Sequence, residues 1–178
     1  MARKTSLREF QQGVAQRLRD AASRKTVLSR LGFQVGEDNW LVSLSDVSEV
    51  IPVPKIVPVP LTLPWYRGVA NIRGKLYSIT DFAGYQGQLP IGPGMERRVI
   101  LIAEKLIEGS GFVVSRMLGL HNPAQFTPEA IEDGVARPWI AGAYRDVNGL
   151  RWYELDLSGL TRDTHFLEAG IVTAPAAA

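Results

Sequence analysis

The spacing of apolar residues changes at Gly32. Before it, Leu7, Phe10, Val14, Leu18 and Ala21 or Ala22 recur every three to four positions, with Arg8, Gln11, Gln12, Arg17 and Arg19 between them. That period predicts an amphipathic helix with Ser6 as its N-cap, and Ala22 to Lys25 as a short polar linker behind it. After Gly32 the period is two. Phe33 and Val35 alternate with polar neighbours, Gly36-Glu37-Asp38-Asn39 supplies turn chemistry, and Trp40, Val42 and Leu44 alternate again, which predicts a β-hairpin. Asp46 with Glu49 three residues on resembles a capping box and predicts a short turn that presents Val47, Val50 and Ile51 inward.

Pro52, Pro54, Pro58, Pro60 and Pro64 are spaced too closely for a helix or a central strand, so this stretch is expected to be a stiff extended connector. Val69 to Ile72 and Leu76 to Ile79 flank an Arg73-Gly74 step, the pattern of a tight hairpin with a charged tip. Asp81 is placed to cap a helical turn starting at Phe82, and a Gly/Pro-rich loop follows from Gly84 to Gly94. Val99 to Ala103 and Phe112 to Val114, either side of Gly109-Ser110-Gly111, predict a further hairpin, with Met117, Leu118 and Leu120 continuing apolar. A single helical turn is expected at Pro128 to Asp133. A C-terminal helix through Phe166, Leu167 and Ala169 is expected behind Thr161 or Asp163, then a disordered tail from Thr173.

The second half repeats the first. Pro138-Trp139-Ile140-Ala141-Gly142-Ala143 aligns with Pro64-Trp65-Tyr66-Arg67-Gly68-Val69, Asn148-Gly149 falls where Arg73-Gly74 stands with one residue inserted, and Leu155-Asp156-Leu157 matches Thr80-Asp81-Phe82. Upstream, Phe112-Val113-Val114-Ser115 resembles Leu41-Val42-Ser43-Leu44. Two copies about 75 residues apart are too few and too long for a solenoid, so they predict two related lobes of about five short strands each, a number that closes into a small barrel.

Composition narrows the function. With 178 residues and 46% apolar content the chain suits one globular domain or two small lobes sharing a core. It has no cysteine, which removes disulfides, thiolate metal sites and thiol nucleophiles and agrees with a reducing compartment. No apolar stretch approaches the roughly 20 residues that span a bilayer, and the basic N-terminus has no apolar signal segment behind it, so a cytoplasmic protein without membrane insertion is expected. The basicity is local. Residues 1–30 carry eight Lys/Arg and two acids, a net +6, whereas the rest carries twelve bases and sixteen acids, a net −4. A nucleic-acid-binding barrel would place its positive charge on the barrel, which argues against that class. The arm is expected to be a helix laid on the body or partly frayed, or else a docking helix for an acidic partner or an anionic membrane surface.

Reactive groups are sparse. His121 and His165 lie on unrelated segments without a partner at metal-ligand spacing, and Gly92-Pro93-Gly94 lacks the Gly-Lys-Ser/Thr of a phosphate loop. Asp81 and Asp156, at equivalent repeat positions, are read as caps. No catalytic, cofactor or metal residue is assigned, and an enzyme is the weakest class. Trp65, Trp139 and Trp152 are expected in the core or between lobes.

Phe33 through Ile51, Val59-Pro60, the run Pro64 to Gly74 with its Gly-Val-Ala-Asn-Ile-Arg-Gly segment, and Thr80-Asp81-Phe82 together resemble the CheW-like adaptor domain. The wording of the N-terminal arm and of Trp65 to Gly74 is most similar to the branch that serves type IV pilus chemosensory pathways and twitching motility, with the flagellar branch as the alternative. The resemblance covers about residues 32 to 168. It implies a mainly β protein of two intertwined five-stranded SH3-like barrels, with residues 1–31 as a basic helical arm, 32–170 as the CheW-like domain and 171–178 as a tail. It also implies a non-catalytic scaffold at membrane-proximal receptor arrays, whose partners are a chemoreceptor's cytoplasmic signalling tip and the regulatory domain of a CheA-type histidine kinase. Val47, Glu49, Val50, Gly68, Asn71 and Arg73 would form or shape the receptor groove. Ser78, Phe82 and Ser115 depart from residues common in the family at those positions and set this chain apart from the flagellar branch.

Overall fold

The computed structural model describes residues 29–132 and 137–171. The expected N-terminal helix and the tail from Thr173 lie outside them. Among the described residues there are eleven strands: β1 (Arg30–Val35), β2 (Asp38–Ser43), β3 (Val47–Pro52), β4 (Tyr66–Ile72), β5 (Lys75–Asp81), β6 (Arg98–Ile102), β7 (Ser110–Val114), β8 (Arg116–His121), β9 (Phe126–Glu129), β10 (Ile140–Asp146) and β11 (Arg151–Leu155). They form a five-stranded sheet ordered β3-β6-β7-β5-β4 and a six-stranded sheet ordered β8-β1-β2-β11-β10-β9.

The chain starts in the six-stranded sheet, leaves to build the five-stranded one, and returns. The β1–β2 hairpin is therefore held between β8 and β11, which the chain reaches only after the other lobe is complete. The lobes are intertwined rather than sequential. In each sheet the third and fourth strands run parallel, β7 beside β5 and β2 beside β11, while the other neighbours are antiparallel. The repeat is thus a repeat of topology. Trp65 and Trp139 are both buried, their carbonyls accept from Asp81 N (2.7 Å) and Asp156 N (2.9 Å), and a bulge follows each at Gly68 and Gly142. The additional strand β9 pairs with β10 where the other lobe has only an isolated bridge from Val57 to Val69 of β4, which accounts for six strands against the expected five.

The apolar runs in β6 and β7 have a direct cause. Val99, Leu101 and Val113 face one core with Ala70, Tyr77 and Ile79, inside the five-stranded lobe. The alternating residues Ile100, Ile102, Phe112 and Val114 face a second core with Phe33, Val35, Trp40, Val42, Phe82, Trp139 and Leu155, between the lobes. Both faces are buried, so the strands read as unbroken apolar segments instead of alternating ones. Phe82 lies at the middle of the second core, 5.1 Å from Phe112, 5.5 Å from Trp40 and 5.6 Å from Trp139 between ring centroids.

Asp81 caps the helical turn Phe82–Tyr85 by accepting from Gly84 N (3.1 Å). Its other oxygen accepts from Ile91 N (3.0 Å), which ties down the Gly/Pro-rich loop. Asp163 caps Thr164–Leu167 by accepting from His165 N, so the C-terminal helix is a single turn that stops before Ala169. Three local expectations are corrected. Asp46 and Glu49 form no capping box: a 3-10 turn at Leu44–Asp46 ends and Glu49 enters strand β3, because pairing with β6 outweighs the local cap. The turn expected at Pro128 to Asp133 is instead a 3-10 turn at Pro123–Gln125, capped by Asn122, followed by β9. Asp156 stands at the N-cap of Leu157–Leu160 but makes no side-chain cap bond.

Phe82→Ala is expected to cost about 3–5 kcal/mol, since the ring leaves a cavity no neighbour can fill. Because the core it empties belongs to both lobes, urea unfolding followed by far-UV circular dichroism and by tryptophan fluorescence is expected to shift together as one transition; two separated transitions would show that the lobes unfold independently.

Candidate functional site

The face to which the sequence points is built by two strands at opposite edges of one sheet. β3 and β4 are not neighbours in the five-stranded order, yet they are joined in two places. Val57, beyond the end of β3, exchanges both backbone bonds with Val69, at 2.8 and 2.9 Å. The Arg73 guanidinium makes a two-pronged pair with Glu49, Nη1 to Oε2 at 2.8 Å and Nη2 to Oε1 at 2.7 Å. The sheet is curled until its edges meet.

The hairpin fixes where Arg73 stands. Ile72 pairs with Lys75, and the two residues between them have positive φ, +53° at Arg73 and +87° at Gly74, as a tight antiparallel turn of this hand requires. Asn71 Oδ1 accepts from Gly74 N (2.9 Å) and stabilises the turn. A left-handed arginine costs about 1 kcal/mol relative to glycine. The fork to Glu49 offsets that cost only partly, because the Arg73 side chain is 75% exposed and pairs of this kind contribute about 0–1 kcal/mol.

The six residues assigned from the sequence therefore separate. Glu49 and Arg73 meet. Asn71 is exposed and bonded within its own turn. Gly68 is buried at φ +119°, and a Cβ there would lie 2.0 Å from the Val57 carbonyl oxygen, so it permits the close approach of Val57 that closes the barrel. Val47 and Val50 are half-buried and pack on the core between the lobes, with a bulge between Val47 and Glu49 that lets both valines face it.

Two further ion pairs went unread in the sequence: Lys75 to Glu104 (2.7 Å) and Lys105 to Asp46 (2.8 Å). Glu104 raises the pKa of Lys75 through their hydrogen bond. Partners so far apart in the chain leave no local pattern; only the register of β3, β5 and β6 brings them together. The two histidines stand in different aromatic clusters. His165 stacks on Tyr85 and meets Trp65 edge-on, while His121 lies against Trp152 and Phe126. Burial and the Asp163 carboxylate push the Tyr85 phenol well above its ordinary range. Among the described residues no group of three His, Cys, Asp or Glu side chains is placed to hold a metal ion, and no helix is long and apolar enough to cross a membrane.

The family model of the CheW-like domain matches residues 30–165, the span of the two interlocked lobes. The chain belongs to the CheW-like domain family. It is 27% identical over 146 residues, 80% of either chain, to protein PilI of Pseudomonas aeruginosa. It is 29% identical over 103 residues, 58% of this chain and 65% of the other, to the chemotaxis protein CheW of Thermotoga maritima. Its fold is that of the scaffolding protein TtCheW from Thermoanaerobacter tengcongensis, with a TM-score of 0.65 at 18% identity over 77% of this chain and 94% of that one.

Gly68→Ala is expected to be strongly destabilising, on the order of 3 kcal/mol or more, through the steric overlap with Val57 and the positive φ. In contrast, a double-mutant cycle of Glu49→Ala and Arg73→Ala is expected to give a coupling energy below about 1 kcal/mol by denaturant unfolding. A coupling of several kcal/mol would show that the ion pair is chiefly structural.

Proposed function

We propose that this protein is a cytoplasmic, non-catalytic adaptor that couples a chemoreceptor's signalling tip to a CheA-type histidine kinase in a type IV pilus chemosensory system governing twitching motility. The observation that carries this reading is the kinship with PilI along four-fifths of both chains. The receptor would approach as a helical hairpin lying along the seam between the lobes, with its apolar residues on Val47 and Val50. Glu49 and Arg73 would set its orientation, since charged groups at a rim serve specificity and encounter rate more than affinity. The kinase would use its own related regulatory domain against a barrel of this chain, at the membrane-proximal array where the receptors lie.

The Glu49 and Arg73 pair suits such a role. Its contribution to stability is small, it is exposed, and an arginine fork pre-aligned on one carboxylate can be shared with a second carboxylate at low entropic cost. The flagellar reading rests on the CheW relatives, which align over a smaller part of this chain. A nucleic-acid-binding role is disfavoured by the net negative charge outside residues 1–30.

Calorimetric titration of the full chain with a pilus-pathway receptor signalling domain, and separately with the kinase regulatory domain, is expected to show saturable binding to each. Arg73→Glu is expected to weaken the receptor at least tenfold, leaving the circular dichroism spectrum and the kinase titration unchanged. Binding to neither domain overturns the adaptor reading; equal weakening of both would move Arg73 out of the receptor contact.

A further inference from the structure

The two lobes share a topology but not an interior. The registers of the two sheets align strand by strand, with Asp81 and Asp156 at the same place in each. One row crosses the five-stranded sheet as Ile79, Gly111, Leu101 and Glu49; its counterpart crosses the six-stranded sheet as Glu154, Leu41, Gly32 and Gly119. The next row reads Val113, Val99 and Ile51 in one lobe and Ser43, Arg30 and His121 in the other.

Ile79 and Val99 of the first barrel are thus answered by an ion pair, Glu154 to Arg30 at 2.5 Å, and Leu101 by Gly32, against which the rings of His121 and Trp152 lie. Tyr144 donates to the same carboxylate at 2.8 Å. The Glu49 to Arg73 pair that joins the edges of the first barrel has no counterpart, because Gly119 and Asn148 occupy those positions.

A cavity of about 490 Å³ opens in the second lobe where the β1–β2 and β10–β11 turns come together. The rings of Trp152 and His121 and the side chains of Leu118 and Leu150 line it, with Arg116, Glu37 and Asp146 among the charged groups around it. Burial works against the Asp146 carboxylate, but bonds from the Leu150 amide, the Trp152 indole and the Asn148 amide hold it ionised, with a pKa below the usual range. Glu37 is exposed and has no ion pair among the described residues. Leu150 is 53% exposed and Val147, in the turn beside it, 82%. The size is that of a site for one or two large apolar side chains, with acidic groups outnumbering basic ones.

We infer that this cavity is the docking site of the protein's own N-terminal segment, with Phe10 and Leu7 seated over Trp152 and the segment's basic residues facing Glu37 and Asp146. Three observations lead there. Arg30, where β1 begins, pairs with His121, one of the residues lining the cavity, and the rest of the β1–β2 lining, Gln34, Glu37 and Asn39, lies at the far end of β1, so residues 1–28 join the body about one strand's length from the cavity. Those residues carry seven bases and two acids, opposite in sign to the remainder of the chain. Their apolar positions, Leu7, Phe10, Val14 and Leu18, form one stripe at helical spacing, and the seven residues 22–28 span about 20 Å, enough to turn the stripe back onto the lobe. Tethering raises the local concentration into the millimolar range, so a weak contact is sufficient.

The chain has no cysteine, so Gln11→Cys gives a single site for a nitroxide label on the full-length protein. The indole N–H signal of Trp152 and the ring signals of His121 are expected to broaden selectively in proton NMR, while the Trp65 indole stays sharp. Adding Leu7→Asp and Phe10→Asp is expected to restore both sets; these positions precede β1, so an unchanged Trp65 signal checks that the body is folded. Three results would overturn the inference: no selective broadening, broadening that survives the double substitution, or broadening of equal size in unlabelled protein mixed with labelled protein, which would assign the contact to a second copy's arm.

Discussion

Two strands without a solvent face determine most of this structure. β6 and β7 bury Val99, Leu101 and Val113 inside their own barrel and Ile100, Ile102, Phe112 and Val114 against the other lobe. Neither lobe can dispense with the other, because the aromatic residues that complete the shared core, Phe33 and Trp40 on one side and Phe82 and Phe112 on the other, come from both sheets. The crossing of the chain from one sheet to the other and back enforces the same dependence covalently. A rigid frame results, and the variable parts are left to the barrel edges and turns, where binding residues are most readily changed without loss of the fold.

Pseudo-symmetry then separates fold from function. Features present twice are structural: the buried Trp65 and Trp139, the bulges at Gly68 and Gly142, and the backbone bonds from Asp81 and Asp156. Features present once are where the lobes differ in purpose. The first barrel has an apolar interior and an ion pair across its edges, presenting a charged hairpin beside half-buried valines. The second has an ion pair beside an aromatic cluster in its interior and a cavity at its turn end. The proposed receptor contact uses the first of these and the inferred arm contact the second.

Much of this was legible in the sequence, for identifiable reasons. The repeat of Pro-Trp, Gly and Asp is visible because each residue is required by local geometry: glycine by the bulge that lets Val57 close on Gly68, and aspartate, in the first lobe, by a real cap. The tight turn at Arg73-Gly74 is visible because two residues need positive φ. Where the reading failed, tertiary pairing overrode a local signal. Glu49 follows Asp46 at capping-box spacing but is drawn into β3 by β6, and Pro128 lies in an edge strand despite its helix-starting appearance. The ion pair inside the second lobe was not legible, since Arg30 and Glu154 meet only through the register of β1, β2 and β11.

The central claim is that a receptor tip lies on the seam flanked by β3 and the β4–β5 hairpin. Amide hydrogen exchange of the full chain with and without a receptor signalling domain tests it most directly. The account predicts slowed exchange in peptides covering Val47–Pro52 and the turn at Arg73 and Gly74, with the peptide covering β9 unchanged. Protection confined to β9 and β10, with β3 and the hairpin unaffected, would contradict it.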